Sequence, residues 1–172
     1  MGSIPVSTSS FHVTILETRT VAWPDEVACA ASARRVAARP GLDQALLTLH
    51  GSLGAGKTTF TRHLLHALGV SGAIKSPTYA LVEAYQVPAR AGKAGFPVSH
   101  FDFYRFQDPH EWEDAGLREL FAAPGLKLVE WPEMAAGLLP PADLAITITP
   151  GIGELRNTRF DALSLQGRAL LP

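Results

Sequence analysis

Apolar and polar positions alternate in short runs along this chain, and between those runs the apolar residues recur at helical spacing. Phe11 to Leu16 alternates as a strand does, and Pro24-Asp25-Glu26 then reads as a helix start, with proline in the first turn and acids facing the positive end of the dipole. That helix is expected to run to about Ala38, where Pro40-Gly41 stops it. Ala45 to His50 (ALLTLH) is a compact apolar run suited to a buried strand, and Gly51 opens the loop that follows. From Lys57, the stretch KTTFTRHLLHAL places Phe60, Leu64, Leu65 and Leu68 on one helical face, and Gly69 ends it.

The second half is rich in strand signals. Tyr79 to Val87 and Val98 to Tyr104 read as strands joined by an exposed hairpin loop, Pro88 to Pro97. Asp108 is placed to cap a short helix that begins at Pro109. Leu126 to Val129 is another buried strand, Pro140-Pro141 punctuates, and Asp143 to Thr149 and Arg159 to Leu165 complete the strands. Strands alternating with helices predict an α/β class: a P-loop NTPase fold with a mainly parallel central sheet, flanking helices and some antiparallel strands. Ligands in such sheets collect at the carboxyl ends of the strands.

Length and charge narrow the reading. At 172 residues the chain holds one substantial core, so a single domain is expected over 1–172, with 1–10 and 167–172 as loosely ordered ends. The formal net charge is −1 and the 15 Lys and Arg residues are scattered, which argues against strong unaided binding of nucleic acid. Cys29 is the sole cysteine, which excludes an internal disulfide and fits a reducing compartment, with the thiol read as a small packing residue. The opening MGSIPVSTSS has neither a basic leader nor an apolar core, and no apolar run reaches the length of a membrane span; a soluble, cytoplasmic protein is expected. Val6 stands where a myristoylation signal needs Ser or Thr.

The chemistry gathers in Gly51-Ser52-Leu53-Gly54-Ala55-Gly56-Lys57-Thr58-Thr59. In G-x-x-x-x-G-K-T the glycines let backbone N–H groups turn toward phosphate oxygens without a side chain in the way, and the lysine supplies a mobile positive charge. The Thr58 hydroxyl is the expected magnesium ligand, and the following helix aims its positive end at the phosphates. Magnesium also needs a carboxylate, and two acids stand where strands end: Asp102 in HFDFYR and Glu130 in LKLVEWPE. On a strand His100, Asp102 and Tyr104 share one face opposite Phe101 and Phe103, so the polar set faces something other than the core. Trp131 offers a flat ring on which adenine can stack, and Lys75-Ser76-Pro77-Thr78 lies where nucleotide hydrolases place a switch that senses the terminal phosphate.

Taken in order, GSLGAGKTT, KSPTYALVE, HFDFYR and LVEWPE resemble the bacterial TsaE family, also called YjeE, from about Pro24 to Leu165. The resemblance implies a small ATPase, using ATP and Mg2+, required for threonylcarbamoyladenosine formation beside the anticodon of tRNA. It further implies weak hydrolysis alone and action on the TsaB–TsaD pair, with tRNA engaged only indirectly. Carried over by motif, Gly51 to Thr58 hold the phosphates, Thr58 and Glu130 serve magnesium, Asp102 sits near the γ-phosphate, and Trp131 lies by the adenine. Ser76 and Thr78 fall in the family's switch-like segment. Ser52 departs from the acid more common in the family's GDLGAGKT form, and Arg156, with Arg159 as rival, resembles an arginine the family places near the nucleotide.

Two other classes share the loop. A small-molecule kinase needs a lid and an arginine-lined acceptor site, and no arginine cluster follows in the second half. A GTPase needs an Asn-Lys-x-Asp element, and no lysine here has an acid two positions on. A nucleotide-gated assembly module, in which hydrolysis only resets the complex, stays open beside the ATPase reading.

Overall fold

The computed structural model describes residues 13–172. In chain order it contains β1 (Glu17–Trp23), α1 (Glu26–Ala37), β2 (Leu46–His50), α2 (Lys57–Leu68), β3 (Val82–Val87) and β4 (Phe96–Asp102). Then come α3 (Pro109–Asp114), α4 (Leu117–Ala122), β5 (Leu126–Glu130), β6 (Leu144–Pro150), β7 (Arg156–Ala162) and α5 (Leu165–Ala169). The seven strands make one mixed sheet in the order β1-β7-β6-β2-β5-β4-β3. β6, β2, β5 and β4 run parallel through its middle, while β1, β7 and β3 join antiparallel at the flanks. β2 and β5, with neighbours on both sides, are the almost uniformly buried runs, as strands covered on both faces are.

Period-two alternation sends side chains from each central strand into two cores. Leu47 and Leu49 of β2, Leu128 of β5 and Ile146 of β6 join Phe60 and Leu64 of α2 and Val36 of α1 in the larger one. Trp23 stacks on Phe60 with ring centroids 5.7 Å apart, and its indole N–H donates to the Ser32 hydroxyl at 2.9 Å, so the one polar atom of that ring is satisfied. The smaller core is aromatic: Phe101 and Phe103 meet Trp112 of α3 and Phe121 of α4. α1 begins at Asp25, which accepts from the Ala28 amide, and α3 at Asp108, which forms a capping box with Glu111.

Several elements differ from the expectation, each for a local reason. The first strand is Glu17–Trp23, whereas Val13 to Leu16 are exposed and irregular; Phe11 lies outside the described residues. β1 is an edge strand with polar outward positions, so it lacks the apolar alternation that points to Phe11 to Leu16. β3 starts at Val82, because a turn at Thr78 to Ala80 precedes it, and β7 starts earlier, at Arg156. The loose end expected at 167–172 is instead tied down. α5 is capped by Ser164, and Leu170 and Leu171 are 0% and 2% exposed. The other expected loose end, 1–10, lies outside the described residues. Among those described, no helix is long and apolar enough to cross a membrane.

Candidate functional site

β2 delivers the chain into the glycine loop, and α2 leaves it. Gly51 has φ 144°, and a Cβ there would sit 2.5 Å from the Ile148 carbonyl oxygen of β6, so the loop closes against the sheet only with glycine. Gly56, at φ 114°, is the N-cap of α2 and gives it no side-chain cap. The first amides of α2 are therefore free to meet an anion, with the helix dipole behind them. Lys57 is buried and curls back over this loop, donating from Nζ to the carbonyls of Gly51 at 2.7 Å and Ser52 at 2.9 Å. Burial pulls its ammonium below the usual lysine range, while the carboxylates of Glu130, Glu133 and Asp102 work against that shift. A negatively charged ligand in the loop would oppose that shift.

The two acids flank the mouth of the loop. Glu130, the last residue of β5, accepts from the Thr58 hydroxyl at 3.0 and 2.9 Å on its two oxygens. It also pairs with His100 Nε2 at 2.8 Å, and both side chains are buried. Asp102, the last residue of β4, accepts the Tyr104 amide at 2.8 Å on Oδ1 and the Ser76 hydroxyl on Oδ2, with Thr78 Oγ1 3.4 Å away. β4 and β5 are parallel neighbours with Asp102 opposite Glu130, which is why residues so far apart in sequence meet. His100 and Asp102 of HFDFYR thus point toward α2 and the loop and are buried, while Tyr104, past the end of β4, is exposed.

A cavity of about 220 Å³ opens here, lined by Lys57, Thr58, Ser76, Asp102, Glu130 and Trp131 among others. Trp131 has φ 56°, a left-handed conformation unfavourable for a bulky residue and set immediately before Pro132. That backbone turn lays the indole beneath the lysine, with Lys57 Nζ 4.1 Å from the ring centroid and the Tyr104 ring 4.9 Å away. Strain of this kind persists where the surroundings over-determine it, and it clusters at ligand sites.

A second cavity of about 250 Å³ continues on the other side of the loop. Thr59, Trp23, Glu26, Glu154 and Arg156 line it. Arg156 Nε donates to the Ala55 carbonyl at 3.1 Å, bracing the loop from behind. Arg159, its rival from sequence, is engaged by Asp161 at 2.8 Å. Trp131 and Arg156, both expected beside a nucleotide, therefore lie in different cavities. Ser52 and Leu53 are exposed at the tip of the loop, where the Ser52 side chain makes no hydrogen bond to the acids.

The donor set suits one hard divalent cation. Among the described residues no three His, Cys, Asp or Glu side chains gather as a self-sufficient metal site. A magnesium ion in a phosphate site needs no such cluster: one or two carboxylates or hydroxyls suffice, with phosphate and water completing the shell. Thr58, Glu130 and, farther back, Asp102 match that requirement. Sequence reading missed His100 as a partner of Glu130, although its place two residues before Asp102 on the same strand face was a usable signal.

A family profile described as threonylcarbamoyl adenosine biosynthesis protein TsaE matches residues 23–158, a span that includes the loop, both acids and Arg156. The chain is 46% identical over 103 residues to the tRNA threonylcarbamoyladenosine biosynthesis protein TsaE of Haemophilus influenzae, covering 60% of this chain and 61% of that protein. It is 37% identical over 140 residues to the Bacillus subtilis protein of the same name, covering 81% and 82%. The match thus spans less than two thirds of the Haemophilus protein's length and more than four fifths of the Bacillus protein's. Its fold is similar to the crystal structure of Bacillus subtilis YdiB, with a TM-score of 0.71 and 28% identity over 90% of this chain and 91% of that one.

Proposed function

The chain belongs to the TsaE family of threonylcarbamoyl adenosine biosynthesis proteins, and on that premise we propose that it binds and hydrolyses ATP with magnesium at the glycine loop. We further propose that it does so in service of the TsaB–TsaD pair during threonylcarbamoyladenosine modification of tRNA. The observation that carries the reading is Thr58, held between both oxygens of Glu130 at the mouth of a loop into which Lys57 is folded.

In this reading the loop amides and the uncapped start of α2 bind the phosphate chain. Lys57 leaves its two backbone carbonyls and moves its charge onto the terminal phosphates, and Thr58 and Glu130 hold magnesium. Bound between those two side chains, the ion would supply positive charge against the negative charge of the phosphates. Asp102 orients the attacking water, with Ser76 and Thr78 as the hydroxyls that report on its position. Water adds to the γ-phosphorus as the bond to the β-oxygen breaks, giving ADP and inorganic phosphate. With the terminal phosphate on Lys57 and the metal at Glu130, the nucleoside must extend away from β5. The cavity beyond Thr59, beside Arg156, receives it. The base therefore sits there, and Trp131 serves the phosphate end by keeping Lys57 in place.

The chain's scattered positive charge and small size favour action through partners over direct capture of tRNA. The test is phosphate release by the purified protein, with and without TsaB and TsaD, at fixed ATP and magnesium. Slow release that the pair accelerates is expected. A fast basal rate that the pair leaves unchanged would favour a self-contained enzyme.

A further inference from the structure

His100 lies on β4, between β5 and the edge strand β3, with its side chain 0% exposed, and among the described residues it makes one side-chain hydrogen bond, from Nε2 to Glu130 Oε1 at 2.8 Å. Its Nδ1 is buried and has no hydrogen-bond partner among the described residues. A hydrogen bond to the Glu130 carboxylate requires a proton on Nε2, so the ring is the donor in this pair. For stability this is a poor arrangement. A buried nitrogen without a partner is penalised, and an apolar side chain would pack at the same strand position without that penalty. Glu130, by contrast, gains a fixed orientation. Its other contacts all go to Thr58, a hydroxyl at the edge of the cavity that a bound ion would claim, and only His100 anchors the carboxylate from inside the fold.

The geometry points to His100 as a positioning residue: it donates to Glu130 Oε1 and so holds the carboxylate in the orientation that presents its other oxygen, beside Thr58, to a divalent cation. This rests on the magnesium–nucleotide reading of the site. Histidine bound to the back of a metal-serving carboxylate plays the part that outer-shell partners generally play, fixing the orientation of a group that itself touches the ion.

The experiment compares His100→Gln with His100→Asn. Both keep a polar amide at a buried position, but the glutamine N–H reaches about as far as Nε2 does and the asparagine N–H stops short. Binding of a fluorescent ATP analogue is titrated in excess EDTA and again with magnesium, and thermal midpoints are recorded for each variant. Affinity in EDTA should be the same in wild type and both variants. The tightening produced by magnesium should survive in His100→Gln and fall about tenfold or more in His100→Asn, the usual scale for losing an outer-shell partner. In a Glu130→Gln background the asparagine change should have no further effect on the magnesium response. Equal magnesium responses in the two single variants, or an asparagine effect that persists without the Glu130 carboxylate, would overturn the assignment and leave His100 a core residue. A wild-type protein that binds the analogue but shows no response to magnesium would remove the metal reading itself, and this inference with it.

Discussion

At the amino ends of the central strands, Lys127 sends its buried ammonium to the carbonyls of Ala123 and Gly125, and Asp143 accepts from the Leu46 amide at 2.8 Å and the Ser164 hydroxyl at 2.7 Å. At the carboxyl ends, Glu130 and Asp102 are buried whereas Asp143 is half-buried, and their partners include the hydroxyls of Thr58 and Ser76 at the wall of a cavity. Both ends bury charge and both satisfy it, but the partners differ in kind. Where the partner is backbone or a helix cap, as for Lys127 and Asp143 beside a cavity of about 390 Å³, the bond holds the fold together and breaking it costs stability. Where the partner is a hydroxyl at the wall of a cavity, the bond can be exchanged for one to an ion or a phosphate oxygen. Buried charge alone does not mark a site; the replaceability of its partners does.

The sharpest way to break this comparison is at Lys57. Lys57→Ala and Thr58→Ala should each cut phosphate release by roughly 10²–10³-fold, the scale for removing one donor to developing charge, while thermal midpoints stay near wild type. Full turnover in either variant would leave the carboxyl end with no special role. At the amino end the pattern should invert. Asp143→Ala should lower stability by about 1–3 kcal/mol in urea unfolding, since it strands the Leu46 amide, and should leave nucleotide affinity unchanged. An affinity loss at constant stability would place Asp143 in the wrong class.

Smaller effects sharpen the division within the site. Arg156→Ala, which removes one bond to the loop and a wall of the second cavity, should weaken ADP binding about fivefold whether or not magnesium is present. Trp131→Ala should change ADP affinity less than that and show itself with ATP, whose terminal phosphate needs Lys57. The opposite ranking would return the base to Trp131. The least effect belongs to Cys29, buried beside α2 with its thiol pushed up to about 12 from 9.0, mainly by burial and secondarily by Glu26. Because the folded value is the higher one, its contribution to stability is complete below pH 9.0 and is lost as pH rises through about 12. Thermal midpoints of wild type should therefore fall more steeply than those of Cys29→Ala across that window.

The loop and α2 were legible in the sequence because their signals are local: glycines at fixed spacing, then one apolar helical face ending at Gly69. Glu130 and Asp102 were legible as acids closing strands, and the strand faces placed them on the loop side. The contact of Trp131 with Lys57 was not, since its direction is set by a left-handed backbone before Pro132 and by the position of Lys57, neither of which composition reveals. The ends of the sheet were read poorly for a related reason. Edge strand β1 pairs on one side only, and the chain terminus is ordered by Leu170 and Leu171 reaching the larger core, a tertiary contact with no periodic signature.

Thr58 and Glu130 are proposed to make the glycine loop a magnesium–ATP site, and calorimetric titration with ATP reads this out. The protein should bind ATP in EDTA and bind it about tenfold or more tightly with magnesium, and Glu130→Gln should retain the first affinity while losing the magnesium gain. No detectable ATP binding, or a magnesium gain that survives in Glu130→Gln, would contradict the account.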